Sequence, residues 1–294
     1  MLKKILLVLF GLVVVLVAGI VLSYTALAYN PDKFPSGSVL FADRLGQWAL
    51  VIATVIGAAL GVARGLMKKK NAIQGDLVTR HGVGSFISHW GTALGIFAAI
   101  YSGIVLGFFV TNNGNSVWFI PVFAAKSAQA IIALNIHYFS VVMILFCAFF
   151  FVADYIATRN WSLLVPNMQD VIHGFVGKYF LRREWKKDEK YLSSQKSAAL
   201  PYMLIGLVIL ISGAVKVAGH VWLLNASVLG WATVIHDVFM VFIILFTLVH
   251  VCIIVLLKDW PAFRSWFTGT MSTKFVEHHH PVWFDDLTTR TNKS

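Results

Sequence analysis

Charge is what this sequence has least of: only 13% of its 294 residues are charged, against 58% hydrophobic and a mean hydropathy of +0.77. A soluble domain carries about 25% charged residues, so a freely soluble globule is excluded. Cysteine is scarce too. Cys147 and Cys252 both fall in apolar runs, so no disulfide framework is visible, and two thiols cannot hold an iron–sulfur cluster by themselves. No C-x-x-C-H occurs, which excludes c-type covalent haem attachment. A P-loop and a dinucleotide glycine fingerprint are missing as well, and no inverted repeat is evident.

Long apolar runs are present instead, at about 5–23, 47–66, 85–110, 136–157, 198–218 and 231–257. Each is long enough to span a bilayer, and too long for a barrel strand, so the expected fold class is an all-α integral membrane bundle of six transmembrane helices. The net charge of +11 is distributed by side. With Lys3 and Lys4 in the cytoplasm, alternation places twenty of the 24 basic residues inside, leaving Lys33, Arg44, Lys126 and Lys216 toward the outside. That is the positive-inside pattern, with both termini cytoplasmic and contact with anionic headgroups rather than nucleic acid. The first run, with its basic start and Ala26-Leu27-Ala28, has features of a cleaved leader, but is read as a retained anchor. The setting is the cell (inner) membrane of a bacterium or archaeon.

Ionisable groups inside spans usually face a protein interior with a task there. Four of the ten histidines fall in the bundle: His89, His137, His236 and His250. His236 and His250 are fourteen residues apart, about 21 Å along a helix and on one face of it. By depth, His89 pairs with His250 toward the inside and His137 with His236 toward the outside. Two stacked bis-histidine sites suit two haem irons, each held from two helices. Gly103 lies fourteen residues after His89 on the same face, and Gly213 near the outer end of the fifth span. Either glycine lets a flat macrocycle approach the backbone, although helix packing is the commoner use of a membrane glycine. His81, His173 and His220 fall in loops or span ends and read as structural or solvated. "YFLRREWKKDEK" reads as a solvated loop with headgroup contact. "EHHHPVWFDD" resembles a zinc tract by composition alone.

Residues 80–287 resemble the cytochrome b (gamma) subunit of membrane-bound formate dehydrogenases. The resemblance rests on His89-Trp90, Ser102-Gly103, "KYLSSQK" from Lys190 with Gly213 eighteen residues after Gln195, the His236/His250 spacing, and the tail His279-His280-Pro281-Val282-Trp283. It implies a four-helix diheme cytochrome b core over 81–260, preceded by two N-terminal spans in 1–80 and followed by a cytoplasmic tail, 261–294. It also implies that His89, His137, His236 and His250 ligate two b haems, and that the tail is structural. Leu192 replaces the family's Asn in a region that helps form a quinone pocket. Gln195, Lys196 and the neighbourhood of His250 remain as candidates for that pocket.

The expected function is electron transfer between an external iron–sulfur and catalytic partner and a quinone, menaquinone or ubiquinone, through two haems. Substrate chemistry is expected on the partner chain. The alternatives are a stand-alone diheme quinone oxidoreductase, a cytochrome b of a hydrogenase or reductase complex, and a haem-free anchor or transporter.

Overall fold

The computed structural model describes residues 44–67, 73–111, 126–159, 163, 165–178, 180–183, 188–222, 224–256 and 260–291. Five of the described helices are long and apolar enough to cross a membrane. They are α1 (Arg44–Leu66), α2 (Val83–Thr111), α3 (Lys126–Ala157), α4 (Ser193–Val221) and α5 (Ala226–Leu256). They correspond to the second through sixth expected spans; the first, 5–23, lies outside the described residues. The chain is an all-α integral membrane protein in its spans.

One departure from all-α is a small antiparallel sheet, in the order β1 (Ile73–Gln74), β2 (Leu77–Thr79), β3 (Thr270–Ser272). Its source is local. Gly75-Asp76 form a two-residue turn with Gly75 at φ +58, the positive first position of a type II′ hairpin. Strands this short give no alternation that sequence could reveal. The segments 1–80 and 261–294, set apart on sequence, share this sheet, with Val78 opposite Met271.

The chain divides into two compact units. In the one comprising residues up to Arg64 and Ile87–Asp154, α1 lies closely against α3. A Cβ at Gly57 or Gly61 would run into the carbonyl oxygens of Phe146 and Phe150. Such small-xxx-small spacing lets membrane helices pack backbone to backbone. Arg64 then pairs with the buried carboxylate of Asp154 at the end of this contact. The opposite face of α1 presents Trp48, Val51, Ile52 and Val55, as a lipid-facing surface does.

The other unit comprises Gly65–Phe86 and Tyr155–Ser294. Its span helices α4 and α5 run antiparallel, with Tyr202 Oη 3.3 Å from Thr247 Oγ1. A π-helix, Asp170–Gly177, packs at the start of α4. Beyond α5, helices α6 (Trp260–Thr268), α7 (Thr273–His279) and α8 (Pro281–Thr291) join the sheet to form a cap. The cap core is Val78, Ala262, Met271, Val276 and Trp283. Ser272 caps α7 by accepting from Phe275 N at 3.3 Å, and Pro281 opens α8, where its missing N–H costs nothing.

Candidate functional site

Ser102 and Ser212 each lie nineteen residues beyond the first residue of a 29-residue helix, α2 and α4. In both helices the serine hydroxyl donates to the carbonyl four residues back: Ala98 O at 2.7 Å, Val208 O at 2.8 Å. With its proton so placed, each Oγ turns a lone pair toward a histidine on the next helix. His137 Nδ1 on α3 lies 3.0 Å from Ser102 Oγ and 3.1 Å from Ala99 O. His236 Nδ1 on α5 lies 3.1 Å from Ser212 Oγ and 3.1 Å from Ile209 O.

A backbone carbonyl only accepts, so in each ring Nδ1 carries the proton and donates. The neutral imidazole then has its lone pair on Nε2, which is the state and atom a metal requires. The same local device therefore occurs once in each unit. It fits an axial ligand of a haem iron, whose partner nitrogen is normally fixed by such a second hydrogen bond. Gly213 belongs to this arrangement. A Cβ there would stand 3.2 Å from His236 Cε1, so the glycine lets the ring lie flush on α4. Gly103 occupies the matching place beside Ser102 and is half-buried.

Toward the other ends of the spans, His89 is half-buried in α2, its ring edge-on to Trp90 at 5.4 Å. His250 is exposed on α5, one turn past Thr247. Each unit therefore holds one histidine with a fixed tautomer and one toward the other end of its spans.

Gln195 and Lys196 are at the foot of α4 and are engaged there. Gln195 Oε1 accepts from Leu192 N at 3.2 Å, capping the helix, and from Arg80 Nη2 at 3.4 Å. Lys196 is buried, with Nζ 3.3 Å from Asp170 Oδ2 and 2.8 Å from Glu189 Oε2. Ser193 Oγ links Asp170 and Asp188 at 2.8 and 3.0 Å. These contacts clamp the π-helix and the 188–192 segment onto the start of the span.

Of the remaining histidines, His81 is buried and stacked on Trp266 at 3.7 Å, and His173 is exposed. His220 falls in the last turn of α4. In the tail, His280 is 1% exposed and donates from Nδ1 to Glu189 O at 2.6 Å. Burial, helped by the Arg80 charge, pushes its pKa down to about 4. Among the described residues no three His, Cys, Asp or Glu side chains converge as a bare metal site. The histidine-rich tail is a structural element of the cap.

Sequence reasoning did not single out Ser102 and Ser212 as partners of the histidines. The signal was present, as a Ser-Gly pair at 102–103 and again at 212–213, each one helix before a histidine. A family model described as prokaryotic cytochrome b561 matches residues 80–269, more than half of the chain. No curated protein matches the sequence.

Proposed function

This chain belongs to the prokaryotic cytochrome b561 family, and we propose that it is the membrane subunit of a respiratory oxidoreductase complex. It is a membrane b-type cytochrome of electron transfer. In the proposed complex, of formate dehydrogenase-like arrangement, it passes electrons between an outer iron–sulfur and catalytic partner and the quinone pool. His137 and His236 would hold one b haem toward the outside, and His89 and His250 would hold a second toward the inside. The observation that carries this reading is the twice-built Nδ1 lock on His137 and His236. Both rings are prepared as Nε2 ligands by the same contacts, which is the state in which each could hold a haem iron.

When bound, a b haem supplies reversible one-electron exchange at its iron. The chain's own part is to hold and tune. Ser102 and Ser212, with the Ala99 and Ile209 carbonyls, keep each imidazole oriented and strengthen it as a donor. At the inner end, the quinone headgroup is placed near His250 and the foot of α4, where Gln195 and Lys196 stand. Because Lys196 is paired with Asp170 and Glu189, it acts there as part of a hydrogen-bonded network that reaches the partly exposed Glu189 carboxylate. Quinone reduction on this side, coupled to oxidation outside, separates charge across the membrane.

Pyridine haemochrome analysis with a protein assay tests the reading: two b haems per chain are expected, and a value near zero overturns it. Purification separates it from a stand-alone diheme quinone oxidoreductase. Stoichiometric iron–sulfur and catalytic chains are expected to accompany this subunit. Replacing Gln195 by Leu is expected to impair quinone-coupled turnover while leaving both haems bound. Unchanged turnover overturns the inner site.

A further inference from the structure

The π-helix at the foot of α4 is amphipathic in the wrong sense for water. Its acidic residue points inward: Asp170 is 4% exposed, bonded to Ser193 Oγ and Lys196 Nζ. Gly174 and Gly177 are buried on the same side. Its apolar residues point outward at a repeat of four: Met168 is 70% exposed, Ile172 49%, Val176 38% and Phe180 71%. Val165 and Leu181 extend this stripe at 47% and 56%. Gln169 and His173 form an exposed polar flank beside it. The segment thus has three sides, one facing protein, one polar and one apolar and uncovered.

Three observations identify what covers the apolar side. The first is height. Ser193 and Lys196, which bind Asp170, form the first turn of the span Ser193–Gly219, so the segment lies where that span meets the membrane surface. The second is charge. The apolar stripe ends in exposed Arg182 and Arg183, with Lys178 beside them paired to Asp188. The third is the anchoring. Asn167 and Asp170 exchange hydrogen bonds at 3.0 and 2.8 Å, closing the start of the helix. At its far end Arg183 N donates to Gly177 O at 2.9 Å through a turn with Arg182 at φ +52. The stripe is held outward by the fold, not left loose.

We infer that residues 165–178 and 180–183 belong to an interfacial element whose Met168, Ile172, Val176 and Phe180 insert into the lipid leaflet and whose Arg182 and Arg183 engage anionic headgroups. A helix with one apolar face and neighbouring cations lies in the interface plane in this way, and anionic lipid strengthens its binding. The element ties the Asp170–Lys196 network to the membrane surface. It does not depend on the haem assignment.

The test uses the full chain as purified, with Cys252→Ser removing the exposed native thiol, in nanodiscs of phosphatidylcholine or phosphatidylglycerol. Nitroxide labels at Met168→Cys, Ile172→Cys and Phe180→Cys are compared with Val241→Cys on the span surface and Glu277→Cys on the cap. Collision with oxygen is expected to exceed collision with a water-soluble nickel chelate at all three sites, as at Val241 and unlike Glu277. In phosphatidylglycerol the depth is expected to increase, and Arg182→Gln with Arg183→Gln to remove that increase. Labels as accessible to nickel as Glu277, or shielded from both reagents as in a protein contact, overturn the inference. Equal depths in the two lipids overturn its headgroup part. A wild-type far-UV circular dichroism spectrum and size-exclusion profile in each variant confirms folding.

Discussion

In the α2–α3 pair and the α4–α5 pair a histidine, His137 or His236, is fixed by the same two contacts at Nδ1, a serine hydroxyl and a backbone carbonyl, yet the two pairs are braced by different means. The first has α1 laid along α3, backbone against backbone at Gly57 and Gly61, with Arg64 on Asp154 at its end. The second has the polar clamp of Asp170, Asp188, Glu189, Ser193 and Lys196 at its foot, tied through Glu189 O to His280 of the cap. The lock on the ring is set within one turn of helix, so it can be repeated anywhere a Ser and a carbonyl face a His. The brace has to suit its surroundings. Within the hydrocarbon, close packing of small residues serves, because apolar side chains gain nothing by leaving lipid. At the water's edge, charged groups can be paired and hydrogen-bonded.

The largest expected effect breaks the equivalence of the two histidines. His137→Ala and His236→Ala should each remove, or convert to high spin, the same single haem, leaving the other intact in redox difference spectra. Loss of different haems in the two variants would show that the shared lock does not mean a shared iron.

How much of this was legible in sequence follows the range of each interaction. The spans were legible because long apolar runs need no partner to declare themselves, and α1 through α5 fall where runs 47–66 to 231–257 put them. His137 and His236 were legible as ionisable residues at a cost in lipid. Ser102 and Ser212 were not, since a serine that bonds its own helix carbonyl is common in membrane helices and its second contact lies on another helix. The role of α1 was hidden for a similar reason: Gly57 and Gly61 mean little until Phe146 and Phe150 stand opposite. Gln195 was read as a candidate for a quinone pocket, and the bonds of its oxygen to the backbone of Leu192 and the guanidinium of Arg80 could not be read from its own helix. The sheet escaped because two or three residues hold no period, and β3 is far away in sequence from its partner.

The next effect separates the braces. Gly57→Leu puts a branched side chain against a main-chain carbonyl that cannot step aside, and should destabilise the α1–α3 contact by about 3 kcal/mol or more. Thermal unfolding in detergent should show it, with no counterpart for the same change at Gly206, which meets nothing within 4 Å. Equal losses at both positions would mean that α1 packing does not brace α3.

Acid should loosen only the second brace by way of its cap. Burial lowers the pKa of folded His280 to about 4, from the ordinary imidazole value of about 6.5. As pH falls from about 6.5 to about 4, the unfolded cap takes up a proton that the folded cap refuses, so stability falls with pH across that window. Below it both states are protonated and the loss stops. The full depression corresponds to about 3 kcal/mol at most. Histidine-labelled NMR of the whole protein should give a His280 midpoint near 4. His280→Asn, which keeps a donor for Glu189 O, should flatten the pH dependence of cap unfolding. A midpoint near the ordinary value would remove the cap from the acid response.

The smallest effect tests the lock directly. In Ser102→Ala or Ser212→Ala the imidazole keeps its carbonyl partner, Ala99 or Ile209, and loses one of two acceptors at Nδ1. The ring should stay in place, so haem content should not change. A weaker acceptor set makes the imidazole a poorer donor, favouring the ferrous iron, and the midpoint potential should rise. One neutral hydrogen bond contributes about 0.5–1.5 kcal/mol, which for a one-electron couple is about 20–60 mV. Potentiometric titration should find this rise in one haem, the same haem for both serines, with the inner haem unmoved. Ser→Thr, which keeps the hydroxyl, should restore the parent potential at both positions. A rise confined to one of the two alanine variants would mean that the repeated geometry is tuned on one side only, and a fall in either would reverse the assigned direction of the Nδ1 hydrogen bond.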